Sequence, residues 1–205
     1  MGGSSTATPT DNVVGYSCPL GYYCPLPATL YEIPCPAGSY NNLQGQTSCI
    51  NCPAGSICNE LGMQTPGTCL PGHYCPGGNI RGIPCPPGTY KNITSATSVS
   101  DCNACPAGSF CDVWGLTQPA GLCDPGFICL VGSTVPTPFQ FIYAPGMTGI
   151  GGRCPKGYFC PKGALAPQLC GNGTYNPNPG QASCLICPKG QYCSGLGLTN
   201  PSGLC

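Results

Sequence analysis

The chain has 205 residues, among them 32 Gly, 26 Pro and 21 Cys, and only 6 % are charged. Six bases balance six acids with no Lys/Arg cluster, which excludes nucleic acid or an anionic membrane as the natural partner. No apolar run approaches the ~18 residues of a membrane-crossing helix, so no membrane insertion is expected in this segment. So much cysteine beside so little Leu, Ile, Val and Phe excludes one large apolar core. Disulfides must replace it, which requires an oxidising, extracellular setting.

In chain order, residues 1–17 have neither a basic start nor an apolar stretch, so they do not read as a signal peptide. They form an inter-repeat segment. A cysteine cycle then begins at Cys18 and runs through Cys24, Cys35, Cys49, Cys52 and Cys58, which defines repeat 1 as 18–68. The cycle recurs as Cys69, Cys75, Cys85, Cys102, Cys105 and Cys111, giving repeat 2 as 69–122. A half-repeat with an aromatic insertion follows at 123–153. Repeat 3, at 154–205, holds Cys154, Cys160, Cys170, Cys184, Cys187 and Cys193, and ends on Cys205. Periods of 51 to 54 residues indicate a stacked array rather than a globule. The fold class expected is small disulfide-rich repeats in an elongated array, mostly coil and turns with short β-hairpins and little or no helix.

Seven loops share the form Cys-x5-Cys, with Gly at the fourth position (for example Gly21, Gly55 and Gly108) and Tyr, Ile or Phe just before the second Cys. Gly in that slot suits a tight turn, and a Pro just after the first Cys, such as Pro19, Pro53 or Pro106, sets its entry. A longer loop, Cys-x-x-Gly-x-Tyr, reads as a hairpin that closes at Cys49, Cys102 or Cys184. Cys35–Cys49, Cys85–Cys102 and Cys170–Cys184 each bracket one such hairpin and are the pairs expected first. Aligning Gly3–Thr10 with the similar stretch from Gly132 sets Met1 opposite Leu130, directly after a half-cystine. With the odd cysteine count, this reads as a segment of a longer tandem array.

The motif Cys-Pro-Ala-Gly-Ser-Tyr followed by Cys-x-x-Cys-Pro-Ala-Gly-x-x-Cys resembles the ephrin-receptor-like cysteine-rich repeat, a relative of tumour-necrosis-factor-receptor modules. The resemblance covers about residues 18–129 and 154–205. It implies an interlocked pairing: Cys52–Cys69, Cys58–Cys75, Cys105–Cys123, Cys111–Cys129 and Cys187–Cys205. Cys18–Cys24 and Cys154–Cys160 then close locally and Cys193 is unpaired. The rival scheme closes all seven Cys-x5-Cys loops locally and leaves Cys205 unpaired. Spacing decides between them no further, and the interlocked scheme is the one expected.

Catalytic chemistry finds little support. His73 fills a slot that elsewhere holds Tyr22, Phe127 and Tyr158, and no base, orienter and nucleophile stand together. Trp114 matches Leu61 and Leu196 and reads as a packing residue. The C-x-x-C pairs lack a facing pair and a helping His, so no metal and no cofactor are expected. The acids stand singly, without a calcium-loop pattern. The chain is not expected to be an enzyme.

Two sequons, Asn92-Ile-Thr94 and Asn172-Gly-Thr174, are expected N-glycosylation sites, with further sugar on Thr6–Thr10 and Ser133–Thr137. Residues 139–150 form the most apolar stretch without cysteine. There Phe139, Phe141 and Tyr143 alternate with Gln140 and Ile142, the period of a strand. Phe139, Phe141, Ile142 and Tyr143 are the candidate assembly interface. The function expected is a secreted structural glycoprotein of the extracellular space or cell surface, forming a filament, surface coat or flagellar-hair-like fibre. Its partners would be copies of itself and covalent glycans. A ligand-binding or adhesive receptor ectodomain is the alternative.

Overall fold

The computed structural model describes residues 17–25, 31–139 and 151–205. Among them there is no α-helix; the secondary structure is a run of two-stranded antiparallel hairpins with one 3-10 turn at Val99–Asp101. The building unit is smaller than the 51-residue cycle. Ten rungs begin at Cys18, Cys35, Cys52, Cys69, Cys85, Cys105, Cys123, Cys154, Cys170 and Cys187, at intervals of 16 to 20 residues except across the insertion after Cys123.

Each rung is built alike. A turn over its first four residues delivers a short strand at the fifth and sixth positions. The chain then loops out and returns as a second short strand just before the next rung. In the third rung Ser56–Ile57 pairs with Gly67–Thr68; in the sixth, Ser109–Phe110 pairs with Gly121–Leu122. Two-residue hairpins are not stable alone, so the order comes from stacking and from covalent bridges.

Stacking runs through the fourth-position glycine. Its N–H donates to the carbonyl of the next rung's seventh residue: Gly38 to Cys58 at 2.7 Å, Gly55 to Cys75 at 2.8 Å and Gly108 to Cys129 at 2.9 Å. Its carbonyl accepts from the half-cystine opening the next rung, as Gly55 does from Cys69 at 3.0 Å and Gly108 from Cys123 at 2.9 Å. A second turn adds a third bond, for example Gly62 N–H to Cys35 O at 2.8 Å. Only backbone is used, so the ladder tolerates almost any sequence between the glycines and cysteines.

Contacts group the chain into two compact units, Met1–Pro84 with Lys91–Cys102, and Cys85–Tyr90 with Asn103–Cys205. In both, the interior is a column of half-cystines; Cys35, Cys58, Cys69 and Cys75 in the first unit and Cys105, Cys111, Cys123 and Cys129 in the second are fully buried. Ile128 adds an apolar cluster in the second unit with Cys154, Cys160 and Ala164, flanked by Leu130 and Tyr158.

The pairing is local. Cys18 bonds Cys24, Cys52 bonds Cys58, Cys69 bonds Cys75, Cys105 bonds Cys111, Cys123 bonds Cys129, Cys154 bonds Cys160 and Cys187 bonds Cys193. Cys35 bonds Cys49 and Cys170 bonds Cys184, while Cys85 and Cys102 are both disulfide-bonded. This corrects the interlocked scheme: Cys52–Cys69, Cys58–Cys75, Cys105–Cys123, Cys111–Cys129 and Cys187–Cys205 do not form. Cys193 is bonded, and Cys205 is an exposed free thiol. The reason is the turn, which folds five residues back so that its two half-cystines stand with Cα atoms 5.8–6.1 Å apart, within bridging reach. The half-cystine opening the next rung is hydrogen-bonded to the turn's glycine but pairs within its own rung.

Candidate interaction surface

At the seventh position, seven rungs carry Cys and three carry Asn41, Lys91 or Asn176. The signal for this equivalence was the shared fourth-position Gly and a large sixth-position residue, Tyr, Phe or Ile, which the sequence reading split into two loop types. Asn41 is fully buried, and its Nδ2 donates to Tyr22 O at 2.9 Å and Ser48 O at 3.1 Å. Asn176 does the same to Tyr158 O at 2.8 Å and Ser183 O at 3.1 Å. Each amide thus ties the preceding rung to its own loop, where a disulfide would otherwise close the turn. The Oδ1 atoms of both are buried without a partner, so the slot is specific but not fully satisfied.

His73 is half-buried, and its Nδ1 lies 3.1 Å from Pro71 O, so this nitrogen is engaged by its own turn. Among the described residues no three of His, Cys, Asp and Glu converge as metal ligands. The Asp101 carboxylate caps the 3-10 turn, accepting from Thr97 N–H at 2.7 Å, Thr97 Oγ1 at 2.9 Å and Ser98 N–H at 3.1 Å. Those bonds, the Thr97 N–H foremost, hold its pKa below the usual 3.8.

The rungs turn apolar side chains outward. Trp114 is 62 % exposed, and its rung equivalents Leu61 and Leu196 are also exposed. This corrects the reading of Trp114 as a packing residue. The slot is the outer corner of the second turn, just before its glycine, and the cystine column leaves no room behind it. On the returning strands Ile33, Ile50, Ile83, Leu122, Leu169 and Leu204 are exposed too. A shallow open depression lies over the turns of Pro36, Pro53 and Pro76, lined also by Tyr23, Ser39 and Asn51. It presents no charged group.

Phe139 lies edge-on against Phe127, with ring centres 5.1 Å apart, and Arg153 sits 5.6 Å above its ring. It therefore folds back on the seventh rung of its own chain, yet it stays 60 % exposed. Phe141, Ile142 and Tyr143 lie outside the described residues. Asn92 and Thr94 are exposed. Asn172 is exposed as well, but its Oδ1 accepts from Gly195 N–H at 2.8 Å.

Residues 32–69 match the family described as tyrosine-protein kinase ephrin type A/B receptor-like. The match spans the second and third rungs, and the turn pattern of those rungs recurs along the chain. No curated protein matches the chain. That segment carries an ephrin-receptor-like cysteine-rich repeat, and ten disulfides in such units mark an extracellular, disulfide-rich module.

Proposed function

We propose that this chain is a secreted structural glycoprotein, building an extracellular filament, surface coat or flagellar-hair-like fibre from stacked rungs. One observation supports this most: each rung offers the next the same backbone donors and acceptors, Gly55 N–H to Cys75 O and Cys69 N–H to Gly55 O. Such a ladder propagates by nearest-neighbour contacts and has no intrinsic stop. Exposed apolar corners on a sparsely charged surface favour contact between copies. The role is non-catalytic, with His73 tied to its own turn.

Asn92 and Asn172 carry N-glycans in this reading, both on exposed backbone. Site mapping of native protein after enzymatic deglycosylation is expected to show a mass change at both; unmodified Asn at both positions contradicts the glycoprotein reading. The matched family is receptor-like, which favours a ligand-binding ectodomain as the second reading. Electron microscopy and sedimentation of native material separate the two. Filaments are expected; a monomer at high concentration that saturably binds a soluble partner supports the receptor reading instead.

A further inference from the structure

The net charge of zero conceals a segregation of charge along the chain. Residues 1–124 hold all six acids, Asp11, Glu32, Glu60, Asp101, Asp112 and Asp124, against Arg81 and Lys91, a net charge of −4. Residues 125–205 hold no acid and four bases, Arg153, Lys156, Lys162 and Lys189, a net charge of +4. All four bases are exposed, as are Glu32 and Glu60. Asp101 feels the charge of Lys91, whereas Glu32, Glu60, Lys156 and Lys189 make no ion pair among the described residues.

Position within the rung sharpens the asymmetry. Lys156 and Lys189 both occupy the third position of their rungs, at the outer edge of the turn. In the first seven rungs that position holds Leu20, Ala37, Ala54, Pro71, Pro87, Ala107 and Pro125, none of them charged. The third position is thus uncharged in the first seven rungs and basic in the eighth and tenth. The outward-facing Ile186, Leu196 and Leu204 accompany it.

We propose that copies of this chain associate head to tail with fixed polarity, the basic rungs of one copy (Lys156, Lys189) docking on the acidic N-terminal part (Glu32, Glu60) of the next. The proposal rests on the filament reading and adds its direction. Exposed ion pairs contribute little to affinity, so the apolar corners supply the cohesion. The charges set orientation and association rate instead. A contact between the C-terminal rungs of one copy and the N-terminal part of another brings opposite net charges together, +4 against −4. A contact between different patches on each copy is open-ended unless it closes a ring.

Charge reversal tests the polarity in the full chain. One variant carries Lys156→Glu with Lys189→Glu, the other Glu32→Lys with Glu60→Lys. Both change exposed side chains only, and an unaltered disulfide map confirms that each has folded. Each variant alone is expected to need a concentration at least about tenfold higher to assemble at low salt, because like charges now meet. An equimolar mixture is expected to recover wild-type assembly, since each reversed end meets a complementary one. High salt, which shortens the reach of exposed charges to a few ångströms, is expected to narrow the difference. If both variants assemble alone like wild type, or if the mixture fails to recover, the polarity is overturned while the filament reading stands. If wild type itself remains monomeric, the filament reading fails. A wild-type monomer that binds a sulfated polysaccharide, with binding lost in Lys156→Glu/Lys189→Glu, overturns self-docking and assigns the basic rungs to an anionic glycan.

Discussion

At the residue scale, glycine and its one replacement show how tightly the rungs stack. Gly108 has φ +77°, and a Cβ there would stand 2.7 Å from the Gly163 carbonyl oxygen, two rungs on. Gly108→Ala therefore combines a left-handed backbone, costing about 1–2 kcal/mol, with an overlap against rigid backbone of a further ~1–3 kcal/mol. Faster hydrogen exchange at the Gly108 and Cys123 amides is the expected sign. At the second turn of the fifth rung the non-glycine Ser95 adopts φ 63°, where Gly62 and Gly115 stand in the third and sixth rungs. Ser95→Gly is expected to relieve strain and slow exchange at the Ser95 amide, which donates to Cys69 O at 2.9 Å; faster exchange contradicts it. Asp101 sets the acid limit of its turn. Its folded pKa lies below the ordinary 3.8, so on acidification the unfolded form takes up the proton first. The stabilisation is complete above 3.8 and is lost as pH falls through the lowered value. The Thr97 and Ser98 amide signals should titrate with a midpoint below 3.8, and a midpoint above it contradicts the cap.

At the element scale, the rung has two ways to close. Most rungs bond first to seventh residue; the second and ninth use a buried Asn at the seventh position and send the opening half-cystine to Cys49 or Cys184. Asn41→Ala leaves the Tyr22 and Ser48 carbonyls without their amide donor. The expected cost is about 1–3 kcal/mol, chiefly from the half-buried Tyr22 carbonyl, seen as a lower unfolding midpoint in denaturant. Asn41→Cys is the more telling change, because it restores the spacing of the other rungs. Non-reducing peptide mapping is expected to find Cys35 divided between the introduced thiol and Cys49. Cys35–Cys49 alone would show that the loop, not the seventh residue, directs pairing.

At the scale of the whole molecule, local pairing makes the array a string of small covalent loops. Closing each seven-residue loop removes about 2.4 kcal/mol of unfolded-chain entropy on the simple chain model, so each rung is stabilised singly. The bridges do not tie rung to rung; the backbone ladder does. Cleavage after Glu32 and Glu60 therefore crosses no bridge among those formed by the surrounding cysteines. The fragments are expected to separate in denaturant without reductant. An interlocked chain would release only residues 1–32, because Cys52–Cys69 and Cys58–Cys75 would span the cut after Glu60 and keep the rest in one piece.

Much of this protein was legible in local sequence, because its turn chemistry lies within seven residues. Cys, Pro, Gly and an aromatic at set spacing determine a turn, a strand and a disulfide-rich repeat class, whatever follows. The kinship of Asn41, Lys91 and Asn176 with half-cystines was signalled by the preceding Gly and Tyr but masked, since these side chains share no chemistry with Cys. Stacking makes it plain, because each seventh-position carbonyl receives the preceding rung's glycine N–H. Pairing was likewise undetermined, because spacing admits both schemes and the folded turn selects the local one. Trp114 stands outward for the same reason: the cystine column fills the interior, and what a side chain can bury against is decided by neighbouring rungs rather than by its own apolarity.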